Sequence, residues 1–332
     1  MTPFELAIAL MKIPSITGDE GAVGRYLASF LASQGYQVET QPVSDGRSNV
    51  IARAGHPRVV FCTHIDTVPP FLDVGEDADA LYGRGACDTK GIIAAMIETG
   101  NRLRADAFSE FAFLFVVGEE TGGDGAKAAN TLEWDSEFVI VGEPTGNRLA
   151  RAQKGVLVAE LRTEGRAAHS GYPEAGVSAV DPLIGVLYDC IRAEWGYDDL
   201  LGRATCNVGI VRAGERANIL APEAAATVML RTVEDVPEAR RRLESVVGGR
   251  ASIGIQAASA PQYMHYVEGF PETVVSFGSD VPYLGRVGKP LLVGPGDILD
   301  AHTAHEKILK AELVEGIALY DRLARELLGA GA

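Results

Sequence analysis

In "FCTHIDTVPP" (61–70) a histidine and an aspartate stand two apart, directly after the apolar run "RVVF". Side chains at i and i+2 of an extended chain project to the same side, and a metal-bound histidine commonly donates its other ring N–H to a carboxylate. His64 is therefore a candidate ligand, with Asp66 as its partner. "GRGACDTKGIIAAM" (83–96) places Asp88 in a glycine-rich loop ahead of a helix. There it could cap the helix, or meet a ligand that glycine lets the backbone approach. "VVGEETGGDGA" (116–126) adds adjacent acids, Glu119 and Glu120, whose like charges near a buried strand end cost energy unless a cation lies between them. Neighbours on extended backbone point in opposite directions, so one can ligate while the other faces substrate and water. The residues alone leave open which does which. "FVIVGEPTG" contributes Glu143, and "LLVGPGDILDAHTAHEKI" contributes His302, with His305 as the fallback. Imidazole with carboxylate suits zinc, manganese or cobalt better than calcium or magnesium, and two such ions about 3.5–4 Å apart sharing a carboxylate form a hydrolytic site.

These residues need elements that bring them together. Four short apolar runs, "RVVFC" (58–62), "FAFLFVV" (111–117), "FVIV" (138–141) and "PLLV" (290–293), predict strands of a sheet covered on both faces. Each is followed within a few residues by an acid or a histidine, Asp297 with His302 in the case of the last run. The carboxyl ends of strands in an α/β sheet form the crevice where ligands bind, so the candidates should converge there. Apolar spacing of three and four predicts a helix over 20–34, ended by Gly35, and extended chain follows at "YQVETQPV" and "NVIARA". Residues 155–258 instead read β-α-β-β-α-β, a ferredoxin-like unit able to bury its own core. The expected fold class is α/β: a mixed-sheet catalytic domain (1–152 and 262–332) with helices on both faces, and an inserted ferredoxin-like domain (153–261).

Bulk properties narrow the functions. The 332 residues carry 45 acidic and 30 basic side chains, and a net charge of -15 disfavours nucleic acid and anionic membrane surfaces as partners. Four scattered cysteines without a CxxC pair suggest neither a disulfide framework nor a thiolate zinc site, which fits a reducing cytoplasm. The N-terminus lacks a basic region before an apolar stretch, and no window reaches the roughly 18 apolar residues of a spanning helix. Neither export nor membrane insertion is expected.

Five motifs in order, "THIDTVPP", "GRGACDTKGIIAA", "GEETGGDGA", "GEPT" and "GPGDILDAHTAHE", resemble those of the dinuclear zinc deacylases and exopeptidases that include acetylornithine deacetylase, succinyl-diaminopimelate desuccinylase and carboxypeptidase G. The resemblance covers essentially the whole chain. It implies two divalent metal ions, zinc first with cobalt or manganese as alternatives. Asp88 would bridge them, His64 and Glu143 would complete one site, and Glu120 and His302 the other. It also implies that Glu119 is the general base and that Asp66 orients His64. "GRAAHSGYPEAG" resembles the segment whose histidine stabilises the oxyanion of a partner subunit, making His169 a catalytic candidate and the inserted domain a dimerisation (lid) domain of a homodimer. Asn218 in "ANILAP" and Arg231 in "VMLRT" resemble substrate-binding positions, with Gly278 added to that set. The implied reaction is hydrolysis of the N-acyl amide of a small N-acyl amino acid, as in acetylornithine deacetylase. A carboxypeptidase or dipeptidase of the same mechanism, a lysine-biosynthesis deacylase and a non-enzymatic metal-binding scaffold are the alternatives.

Overall fold

A computed structural model describes residues 1–329 and divides the chain into two compact units. The first comprises Met1–Arg151, Met264–Thr273 and the chain from Ser279 onward; the second comprises Ala152–Tyr263 and Val274–Gly278. The segment 274–278, expected in the catalytic part, thus groups with the inserted one.

In the first unit the four apolar runs are strands Val59–His64, Phe111–Val116, Phe138–Val141 and Lys289–Leu292. All four run parallel, in the spatial order 111–116, 59–64, 138–141, 289–292. Their carboxyl ends therefore meet along one rim. Antiparallel strands extend the sheet on either side, Arg47–Arg53 and Gln37–Ser44 beyond Phe111–Val116, and Leu149–Gln153 beyond Lys289–Leu292. Every position of Val59–His64 and Phe111–Val116 is buried, as expected of strands covered on both faces.

On one face Phe61, Phe111, Phe113 and Phe115 form an aromatic cluster with Tyr36 and Tyr320. Helix Gly91–Ala105, which connects the first two central strands, packs there beside the terminal helix Lys310–Leu327. Buried Tyr320 donates its hydroxyl to the Val293 carbonyl at 2.7 Å, so its polar end is satisfied within the core. The helix expected over 20–34 is Gly21–Ser33, and Gly35 follows its cap at φ +83°.

The second unit has the expected order. Strands Gly155–Glu164, Thr205–Ala213, Glu223–Thr232 and Ser252–Ser259 alternate with helices Val180–Arg192 and Val236–Val247. The sheet order is 205–213, 223–232, 155–164, 252–259, antiparallel throughout. Asp235 caps the second helix by accepting from the Glu238 N–H, Pro237 occupies its first turn, and Gly248 ends it at φ +59°. The first helix ends at Arg192, where Ala193 turns extended and Trp195 buries itself beyond the helix end. No helix among the described residues is long and apolar enough to cross a membrane.

Gly100, inside helix Gly91–Ala105, faces the aromatic cluster so closely that a Cβ there would run into the Phe113 ring and stand 2.9 Å from Phe111 Cε2. Helix propensity favours Ala over Gly by about 1 kcal/mol, but overpacking a filled core costs about 1–3 kcal/mol. Gly100→Ala is therefore expected to lower the urea midpoint. A raised midpoint would show that the helix can shift away.

Candidate metal centre

His64 ends its strand and is 2% exposed. Its Nε2 lies 3.0 Å from Asp88 Oδ1, and its Nδ1 lies 2.9 Å from the Asp66 carbonyl and 3.5 Å from Asp66 Oδ1. The backbone of Asp66, more closely than its carboxylate, thus orients the ring. The Asp66 carboxylate does other work. It accepts from Thr17 Oγ1 at 2.8 Å and from the backbone N–H groups of Glu119 and Glu120 at 3.1 and 3.2 Å. Asp66 thereby anchors the turn that carries the paired glutamates.

Asp88 is buried in the irregular turn before helix Gly91–Ala105, and its peptide bond to Thr89 is cis. The N-cap position belongs to Lys90, so the capping use of Asp88 that the sequence allowed is not the one adopted. Its Oδ2 lies 3.1 Å from His302 Nε2, which is also 3.1 Å from Glu120 Oε1. Register places Glu143. Cys62 pairs with Val141, so two residues further along each chain, past the end of Phe138–Val141, lie His64 and Glu143. Two donor sets result, His64–Asp88–Glu143 and Asp88–Glu120–His302, each with its ligand atoms within 4.8 Å of one another. Asp88 belongs to both. Its two oxygens face different histidines, a donor arrangement that fits a carboxylate shared by two cations. His305 is exposed and belongs to neither set.

Electrostatics agree with that fit. Burial first, and then neighbouring acids, push the Glu119 and Glu143 carboxyls well above the ordinary range, with His64 opposing. Hydrogen bonds to Asp88 and Glu120 raise His302 to about 10. Burial opposes ionisation of Asp88, but contacts with His302 and His64 prevail and hold it below the usual range. Acids and imidazoles here borrow charge from each other, as they would from bound cations.

The glutamate turn has its own base. It starts at Gly118, φ +77°, where any Cβ would collide with the Asp124 carboxylate. Arg47 joins that carboxylate to fully buried Glu20, with Nη1 2.6 Å from Asp124 and Nε and Nη2 each 2.7 Å from Glu20. Nothing in the sequence singled out this triad, since Glu20 reads as part of a helix start. Asp280, 3% exposed, was likewise unmarked, and its Oδ1 has no hydrogen-bond partner.

In the second unit His169 and Asn218 lie on adjoining exposed loops, joined by the Ser170 N–H donating to the Asn218 carbonyl at 3.0 Å. Arg231 is half-buried on strand Glu223–Thr232, with Nη1 3.8 Å from the place a Cβ on Gly278 would take. The catalytic candidate His169 and the substrate-binding candidates thus form two pairs within that unit, His169 with Asn218 and Arg231 with Gly278.

Residues 60–326 match the profile of peptidase family M20/M25/M40. The chain belongs to this family. Among its relatives, a peptidase M20 domain-containing protein of Schizosaccharomyces pombe is 39% identical, over 95% of this chain and 82% of that protein. A probable carboxypeptidase of Aspergillus fumigatus is 35% identical, over 97% and 86%. The M20 fold is shared with a tripeptidase of Staphylococcus aureus (TM-score 0.81, 19% identity, 98% of this chain and 97% of that one). A dinuclear metal binding M20 peptidase of Bacillus subtilis has the same architecture (TM-score 0.70, 15% identity, 99% and 98%). The chain is accordingly an M20 metallo-hydrolase.

Burial, with Asp66 and Asp124 adding to it, raises the Asp280 carboxyl to about 7 from its ordinary 3.8, against opposing pulls from His64 and Lys127. A folded value above the unfolded one contributes stability that is fully present below the unfolded pKa and lost as pH rises through the folded one. In the metal-free protein, stability should decline between about pH 4 and 7 partly through this group. Asp280→Asn should flatten that decline in urea midpoints measured across the interval. An unchanged slope would contradict the assignment.

Proposed function

We propose that the chain hydrolyses the amide bond joining an acyl group to the nitrogen of an amino acid, using two divalent ions held by the two donor sets. The observation that carries this reading is Glu119, half-buried beside both sets and a member of neither. A storage or scaffold site has no use for such a carboxylate. Bound ions, zinc first with cobalt or manganese as alternatives, supply Lewis acidity toward the scissile carbonyl and toward water. Glu119 takes the proton of the attacking water and delivers it to the departing amine. The N–H bond from Glu119 to Asp66 holds the base in place.

The remaining assignments rest on motif resemblance. His169 and Asn218 would serve the oxyanion and carbonyl of substrate in a homodimer formed through the second unit, and Arg231 would receive a substrate carboxylate through its planar fork, with Gly278 leaving room beside it. A small N-acyl amino acid is the first reading of the substrate. A peptide is the second, favoured because curated relatives are described as probable carboxypeptidases. All four cysteines are free, in keeping with action in a reducing cytoplasm.

Glu119→Gln should leave metal content unchanged and lower kcat by about 10²–10⁴-fold, the usual worth of a positioned acid-base group. Retention of full turnover would remove Glu119 from the mechanism. Comparing kcat/KM for acetyl-amino acids, succinyl-amino acids and dipeptides decides between the two substrate readings.

A further inference from the structure

A buried ion pair outside both donor sets ties the ligand-bearing loops together. Arg84 and Glu306 are 3% and 1% exposed, and Arg84 Nη1 lies 2.6 Å from Glu306 Oε2. The other oxygen, Oε1, accepts from the backbone N–H groups of Cys87 and Asp88, each at 3.3 Å. Arg84 Nε donates to the Pro70 carbonyl at 3.2 Å, and the Gly83 N–H donates to the Glu306 carbonyl at 3.1 Å. Three segments are stitched at one point: the chain after His64, the turn bearing Asp88, and the loop that begins with His302 and closes at Glu306.

A buried ion pair is a poor source of stability compared with apolar residues of similar size, so its presence beneath the site calls for another reason. A charged acceptor bonded to two consecutive N–H groups fixes the backbone from which Asp88 projects. The two donor sets do not need this equally. The His64 ring is held apart from the ion pair by the Asp66 carbonyl at 2.9 Å, and Glu143 follows a central strand. His302 stands on a loop in the left-handed region, φ +61°, half exposed, and Glu306 is the buried charged anchor of that loop.

We propose that Glu306, held by Arg84, is a positioning residue that fixes Asp88 against His302, so that the Asp88–Glu120–His302 set depends on it far more than the His64–Asp88–Glu143 set does. This rests on the reading that both sets hold metal. Replacing the glutamate alone would strand the arginine charge, so two double variants are compared, Arg84→Met with Glu306→Gln and Arg84→Met with Glu306→Met. Glutamine keeps an acceptor for the two N–H groups and methionine does not.

Zinc binding to the metal-stripped chain is followed by calorimetric titration and elemental analysis, with circular dichroism checking the fold. The wild type is expected to take two ions. The methionine pair should lose about 10–100-fold in affinity for one ion, the usual effect of removing a partner that orients a ligand, with the other ion changed less than about threefold. The glutamine pair should recover most of that loss. Equal binding by the two double variants, or parallel weakening of both ions, overturns the positioning role while leaving the metal reading intact. A wild type that takes up fewer than two ions overturns the metal reading itself, and the positioning proposal with it.

Discussion

Asp88, Glu119, Glu120 and Glu143 crowd the end of the central sheet with little but two imidazoles to offset their charge, and their mutual repulsion is the constraint that the surrounding structure answers. Carboxylates this close hold protons or share cations. The supports beneath them oppose the tendency to spread. Asp66 holds the glutamate turn by two N–H groups, Arg47 locks the same turn from below through Asp124, and Glu306 grips the backbone of Asp88. Each support is itself charged, so the site rests on ionic contacts that border an apolar core.

Parallel strands make the convergence possible. A strand pair in parallel register ends on one side, so a residue placed just after each strand reaches the same rim whatever its distance in sequence. Four strands contribute here, from residue 59 to residue 292, while Asp88 and His302 reach the rim from the connecting turn and loop. The aromatic cluster packs against one face of that sheet.

What could be read in the sequence was whatever announces itself by pattern. The apolar runs were legible because buried parallel strands have no polar face, and the candidates after them followed from strand polarity. The β-α-β-β-α-β order of the second unit was legible because alternation and helical spacing changed in turn. Interactions made by backbone groups were not. That Asp66 orients His64 through its carbonyl and spends its carboxylate on the N–H groups of Glu119 and Glu120 has no side-chain signature. Asp280 is a lone aspartate in a loop, and its burial comes from tertiary packing that no local spacing records. Glu306 left a faint trace, four residues beyond His302, but its partner Arg84 is far off in sequence. Segment 274–278 returns to the second unit after the first has resumed, a detour too short to have a periodicity.

The order in which the parts leave the ribosome differs from their order in space. The strands of the second unit's four-stranded sheet and its two helices lie between Gly155 and Ser259, so that sheet can form while later residues, segment 274–278 among them, are still being translated. The first unit must wait. Its strand Lys289–Leu292 and the helix bearing Tyr320 are made after the whole second unit, and the clustered acids gain their histidine partner at position 302 only then. A nascent chain arrested before that point would present an open edge beside Phe138–Val141, where chaperone capture or aggregation would compete with completion.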